Sequence, residues 1–171
     1  MGTVNGLPAH ILLVHAVVVL LPLSALLLVL TTVWPAARAR LAGPNALLSL
    51  VVVALVPVTT SAGEWLEHRV PGSALLHDHT ELGDTAIFYA IPLAVLAVLV
   101  WWRQREATGA GAGNRAYLAP GSAAVTRVLV ALAIIVAGAG MYGMYRIGDS
   151  GARAAWTGNF STTSRPEGPH D

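Results

Sequence analysis

The side chains able to do chemistry in this chain are imidazoles and carboxylates. It contains six His, nine Asp plus Glu and no Cys. Thiolate metal sites, Cys-ligated iron–sulfur clusters, thiol nucleophiles and disulfides are thereby excluded, and any metal must be held by His and carboxylate. Five of the His fall in two stretches: His10 and His15 near the start, and His68, His77 and His79 further on, among Glu64, Glu67, Asp78, Glu81 and Asp84. Residues four apart share a helix face. Glu64 and His68 meet that spacing, as do His77 and Glu81, and Asp84 follows Glu81 by three. A carboxylate and an imidazole one turn apart is how helix bundles offer ligands to first-row metals, although the full Glu-x-x-His pattern of di-iron bundles is not present. His10 and His15 are five apart, so on one regular helix they point about 140° from each other. Both can serve one site only if the helix starts after His10.

His15 lies at least a turn inside an otherwise apolar run, where an ionisable group is costly and by default marks a function. It can be a neutral imidazole bonded to a neighbouring helix, a haem or metal ligand, or a proton-handling group. For His68, His77 and His79 the bland alternative is a solvated, acidic connection. Hydrolytic chemistry has little support: Ser24, Ser49 and Ser61 are in or near apolar runs, and none stands in a Gly-x-Ser-x-Gly elbow. The stretch Gly109 to Gly113 lacks the Lys of a phosphate-binding loop. The residues do not decide whether the chain is an enzyme.

Positioning these groups falls to apolar helices. The composition is 55% hydrophobic and 11% charged, against roughly a quarter charged in an ordinary soluble domain. The net charge is only +1, too small for a nucleic-acid surface. Crossing a bilayer takes about 20 mostly apolar residues in a helix, and no strand-like alternation runs along the chain. Four segments approach that length: Ile11 to Val33, Leu41 to Gly63, Thr85 to Trp102 and Val128 to Tyr145. The first lacks a basic leading segment and is longer than a signal-peptide core, so it is read as a retained helix. Breaks are expected at Pro35, Gly43-Pro44, Pro71-Gly72 and Thr108 to Gly113. The expected fold is an all-α membrane protein, an antiparallel four-transmembrane-helix bundle over residues 1–156. Its helices are placed at about 11–34, 45–67, 80–102 and 123–146, with a polar tail over 157–171.

Short loops bring helix ends distant in sequence to one membrane face, so His10, His15, Glu64, His68, His77, His79, Glu81 and Asp84 should gather at the same end. Arg38, Arg40, Arg103, Arg105, Arg115 and Arg127 belong to the other end, whereas the connection between the second and third helices carries Arg69 alone. Basic residues stay cytoplasmic, which puts both termini on the non-cytoplasmic side; Arg146, Arg153 and Arg165 in the tail argue mildly against this. Trp34, Trp101 and Trp102 are expected as interfacial anchors. Pro22, Pro57 and Pro92 near helix middles invite packing kinks. Gly138, Gly140 and Gly143, with Ala133 and Ala137, allow close helix approach, first within the chain and second as a homodimer seam.

The run His10-Ile-Leu-Leu-Val-His15, the Gly63-Glu64-Trp65-Leu66 that closes the second helix, and Tyr145-Arg146-Ile-Gly-Asp149-Ser-Gly151-Ala-Arg-Ala-Ala-Trp156 resemble a bacterial membrane family, domain of unknown function 2231. The resemblance extends from about His10 to Trp156. Ile11 stands where that family has Pro. The resemblance implies a four-helix inner-membrane domain of unassigned activity, sometimes joined to Rieske-type iron–sulfur domains, and so raises a redox role by analogy.

The expectation that follows is a small membrane protein holding a haem b or a transition metal near the outer end of the bundle for electron transfer. His15 with one of His68, His77 or His79 would be the cofactor ligands, and His10, Glu64, Glu81 and Asp84 would contribute to a metal site. Its partners would be the lipid bilayer and a membrane redox complex, without nucleic acid. The rival is a cofactor-free structural or assembly subunit. A third reading, a proton-coupled carrier using His15 and Glu64, is weakened by the lack of charge near helix centres.

Overall fold

The computed structural model describes residues 2–109, 117–161 and 163. Arg115, most of the Gly-rich stretch, and Arg165 with the rest of the tail to Asp171 lie outside the described residues. Two-residue strands β1 (Thr3–Val4) and β2 (Leu7–Pro8) pair antiparallel. Asn5 and Gly6 between them both take positive φ, 50° and 81°, as a two-residue hairpin turn requires. Strands this short carry no alternation, which is why the sequence pattern missed them.

Among the described residues five helices follow: α1 (Ala9–Val33), α2 (Pro35–Glu67), α3 (Ala74–Asp84), α4 (Ala86–Ala107) and α5 (Ala123–Trp156). Trp34 alone, in extended backbone, separates α1 from α2. Pro35 opens α2 at the position where a missing N–H costs nothing. The break expected at Gly43-Pro44 is therefore no boundary, and α2 begins ten residues before the expected Asn45. Gly43 serves packing instead: a Cβ there would stand 3.3 Å from the indole nitrogen of Trp101.

The third expected span is divided. Ser73 caps α3 by accepting from Leu76 N–H at 3.1 Å. At Thr85 the bonds tighten, Thr85 N–H to Leu82 O and Phe88 N–H to Thr85 O, the shorter i to i+3 pattern of a tighter turn. The stretch from Ala74 to Ala107 still forms one span, and among the described residues four helical segments are long and apolar enough to cross a membrane. α5 runs ten residues beyond the expected 146, extended by an Arg153–Asp149 ion pair at 2.9 Å one turn apart.

The long helices form a closed ring: α1 packs on α2, α2 on α4, α4 on α5 and α5 on α1, while α3 lies against α5. Leu21, Leu28, Val52 and Leu93 fill the centre. Between α1 and α2 sits Asn45, 1% exposed. With its amide oriented to match donors to acceptors, Nδ2 donates to Ser24 Oγ and O, and Oδ1 accepts from Leu28 N–H. Such a polar pin between membrane helices contributes about 0.6 kcal/mol on average. Pro22, Pro57 and Pro92 lie inside α1, α2 and α4. Small residues on α5 act within the chain. A Cβ on Gly140 would touch Leu93 and Leu21, and one on Gly143 would overlap the Tyr89 ring. Gly140 and Gly143 are thus taken up by the bundle, and of the three glycines read as a homodimer seam only Gly138 faces outward.

Candidate functional site

The site lies where the start of α1, the end of α2, α3 and the end of α5 meet. The hairpin sets the start of α1. Gly2 O accepts from Ala9 N–H at 3.1 Å, and Gly2 packs so closely on the Trp65 ring that a Cβ would overlap it. Trp65 is in turn covered by the Arg69 guanidinium, 3.9 Å from the ring centroid. The first turn of α1 is thereby pressed on the last turns of α2, and His10 points between them. Its Nδ1–H donates to Thr59 O at 3.0 Å. A carbonyl can only accept, so Nδ1 carries the proton and Nε2 keeps its lone pair when the ring is neutral.

A second imidazole arrives from α3. His79 Nδ1 lies 3.0 Å from Ser150 Oγ on α5. Ser150 donates its own proton to Ile147 O at 2.8 Å, so Oγ accepts from His79 Nδ1–H, and Nε2 is again the lone-pair nitrogen. The rings of His10 and His79 stand 6.4 Å apart between centroids at an interplanar angle of 73°. Glycines make this room. A Cβ on Gly63 would sit 3.0 Å from the His10 ring, and a Cβ on Gly151 2.9 Å from the His79 ring. Both rings are partly buried.

The other expected ligands do not join them. α1 begins at Ala9, before His10, so His10 and His15 diverge as their spacing requires; His15 is exposed on the outward row with Ile11 and Val18 and bonds to Ile11 O. His68 is exposed and donates to the Glu64 backbone carbonyl at 2.7 Å, not to its carboxylate. His77 reaches Glu81 at 3.3 Å, with both side chains about two-thirds exposed. Glu64 and Asp84 are exposed as well. Among the described residues no group of three or more His, Asp or Glu is placed to hold a metal. The mixed set of imidazoles with Glu64, Glu81 and Asp84 therefore does not assemble, because these carboxylates lie on outward faces while the two meeting imidazoles lie inside.

Three separated stretches supply the site: His10, then Gly63 with Trp65, then Ser150 with Gly151. A family profile described as predicted membrane protein (DUF2231) matches residues 6–164. The chain belongs to this family. No curated protein and no solved structure matches it. Parts of the three stretches singled out in the sequence, at His10, Gly63-Trp65 and Ser150-Gly151, thus come together in space with His79. Sequence reading missed Thr59, Ser150 and Gly151 as site residues. A backbone carbonyl has no sequence signal, and Ser150 becomes visible only once α5 is known to continue past residue 146.

Proposed function

We propose that this membrane protein holds a transition-metal ion between Nε2 of His10 and Nε2 of His79, and that the loaded site takes part in electron transfer. The observation that carries this reading is the ring separation combined with committed Nδ1 atoms. With both Nε2 atoms facing a metal in line, bonds of about 2.0 Å put two ring centres roughly 6 Å apart, close to the 6.4 Å between His10 and His79. A metal-ligating His commonly donates its other ring N–H to a carbonyl or similar acceptor, which fixes tautomer and orientation; Thr59 O and Ser150 Oγ fill that role. Imidazoles suit copper, iron, zinc and nickel, and copper or iron would supply one-electron chemistry. The chain's own contribution is to present two Nε2 lone pairs and to hold both rings through the backbone approach at Gly63 and Gly151.

The Arg-rich opposite end supports placing the His end on the non-cytoplasmic side of a bacterial inner membrane. The test is metal analysis and an absorption spectrum on full-length protein purified in detergent after exposure to copper, iron or haem. About one equivalent retained by the native chain and lost by His10→Ala and by His79→Ala is the expected result. Equal retention by both variants, or none by the native chain, overturns the proposal.

The cofactor-free alternative, docking to a larger membrane complex, draws on one observation. The outward face of α5 carries Ile134, Ile135, Tyr142, Tyr145 and Trp156, all more than half exposed. Under that reading His10 and His79 are interhelical struts, and pull-down of a partner would survive their replacement.

A further inference from the structure

At the opposite end of the bundle two guanidinium groups line one cavity. Arg103, near the end of α4, is only 5% exposed. Its Nε donates to Leu118 O, and its Nη2 lies within hydrogen-bond distance of the carbonyls of Ala119, Pro120 and Ser122 and of Thr126 Oγ1. Arg38, in the first turn of α2, donates from Nε to Thr31 O and from Nη2 to Thr32 O, the orphan carbonyls at the end of α1. Each guanidinium thus gives two nitrogens to backbone oxygens, and among the described residues Nη1 of neither is bonded to protein. Among the described residues neither Arg has a carboxylate within ion-pair distance. The nearby Glu106 is engaged elsewhere, accepting from Tyr117 N–H, Leu118 N–H and Trp102 Nε1–H.

Thr32, Arg38, Arg103, Gln104 and Thr126 line the cavity between them, which leaves about 30 Å³ for the centre of a water-sized group, more than the roughly 10–15 Å³ that one water needs. Two permanent cations facing one space without a carboxylate in ion-pair contact are costly in a low dielectric, and guanidinium nitrogens match phosphate oxygens in geometry. Depth points to the source of the phosphate. Trp34 and Trp102 are exposed at this end beside Arg38 and Arg103, and Trp side chains gather at headgroup level. Basic pockets between membrane helices at that level take anionic headgroups.

We infer that Arg38 and Arg103, with Gln104, form a phosphate site for the headgroup of an anionic phospholipid. The test is thermal unfolding of the full-length protein in detergent, followed by Trp fluorescence, during titration with phosphatidylglycerol, phosphatidylcholine or inorganic phosphate. The expected result is a saturable rise in melting temperature with phosphatidylglycerol and a much smaller one with phosphatidylcholine. Arg38→Gln should raise the half-saturating concentration about tenfold or more, while Arg40→Gln, exposed at the same end, leaves it unchanged. If inorganic phosphate alone produces the Arg38-dependent rise, the phosphate site stands and its lipid source is overturned. If phosphatidylcholine equals phosphatidylglycerol, or Arg40→Gln acts like Arg38→Gln, the site is overturned. Should Arg38→Gln not fold, Arg38→Lys and Gln104→Ala carry the same comparison, each expected to weaken the response with Arg40→Gln again inert.

Discussion

His10 and His79 carry imidazoles whose Nε2 can offer a lone pair, whereas Arg38 and Arg103 carry guanidinium groups, which only donate. The fold treats the two pairs accordingly. At the His end each imidazole has one acceptor on its Nδ1, Thr59 O or Ser150 Oγ, and close approach of glycine backbone leaves the rings room. At the Arg end the side chains are wrapped in carbonyl oxygens, with the loop before α5 folded over Arg103. A group that can be neutral is stabilised by a single well-placed acceptor and retains a lone pair for a cation. A permanent cation requires many acceptors to enter the bundle, and what it leaves over is a donor for an anion. One small helical ring thus combines two kinds of polar cluster at its two ends.

The contrast predicts where stability resides. Arg103→Ala should have the largest effect, because four carbonyls and Thr126 lose a shared donor in a buried setting. Each orphaned buried acceptor costs about 1–3 kcal/mol when water cannot replace the donor, so a loss of about 3 kcal/mol or more is expected. That corresponds to roughly 10 °C in the midpoint of thermal unfolding. A fall in midpoint no larger than that of His10→Ala would remove the distinction between the two ends.

Next in size is Gly151→Ala. A Cβ 2.9 Å from the His79 ring must displace that ring, and copper affinity measured by competition with a chelator should fall by about 100-fold. Gly148→Ala is the matched control: a Cβ there meets nothing within 4 Å, so it should leave affinity intact and raise helix stability by up to about 1 kcal/mol. Equal behaviour of the two variants would show that ring placement is not set by the glycine. Ser150→Ala should follow with a 10–100-fold loss of affinity, since loss of such an outer partner has about that effect, and Ser150→Thr should restore part of it. The smallest effects belong to His15→Ala and His68→Ala. Both positions are exposed, and stability should stay within about 0.5 kcal/mol of the native chain with unchanged metal uptake. A loss of uptake in either would move the site back toward the ligands read from spacing alone.

Much of this architecture was legible before any coordinates, because apolar length and Pro and Gly punctuation are local signals. Four spans, the gathering of His at one end and the divergence of His10 from His15 all follow from such signals. Gly43-Pro44 carries the composition of a loop and so points to too late a start for α2, whereas Pro35 is the true helix opener. The extent of α5 was cut short because residues 146–156 are polar enough to leave a hydropathy window, yet they continue the helix and dock α3. Pairing of ligands was the least legible feature. His15 looked favoured by its depth in an apolar run, but depth along a helix does not reveal which face is inward, and the row with Ile11 and Val18 faces out. His79 was one of three similar imidazoles in a polar connection. Only the packing of α3 on α5 separates it from His68 and His77. The Arg cavity had no sequence signature at all, since its partners are backbone carbonyls.

The most direct test is X-ray absorption at the metal edge of copper-loaded, full-length protein in detergent, for the native chain and for the double variant His10→Ala, His79→Ala. The proposed site predicts two imidazole nitrogens at about 2.0 Å in the native protein and no imidazole signal in the variant. An unchanged imidazole signal in the variant, or a native spectrum without imidazole scattering, would contradict it.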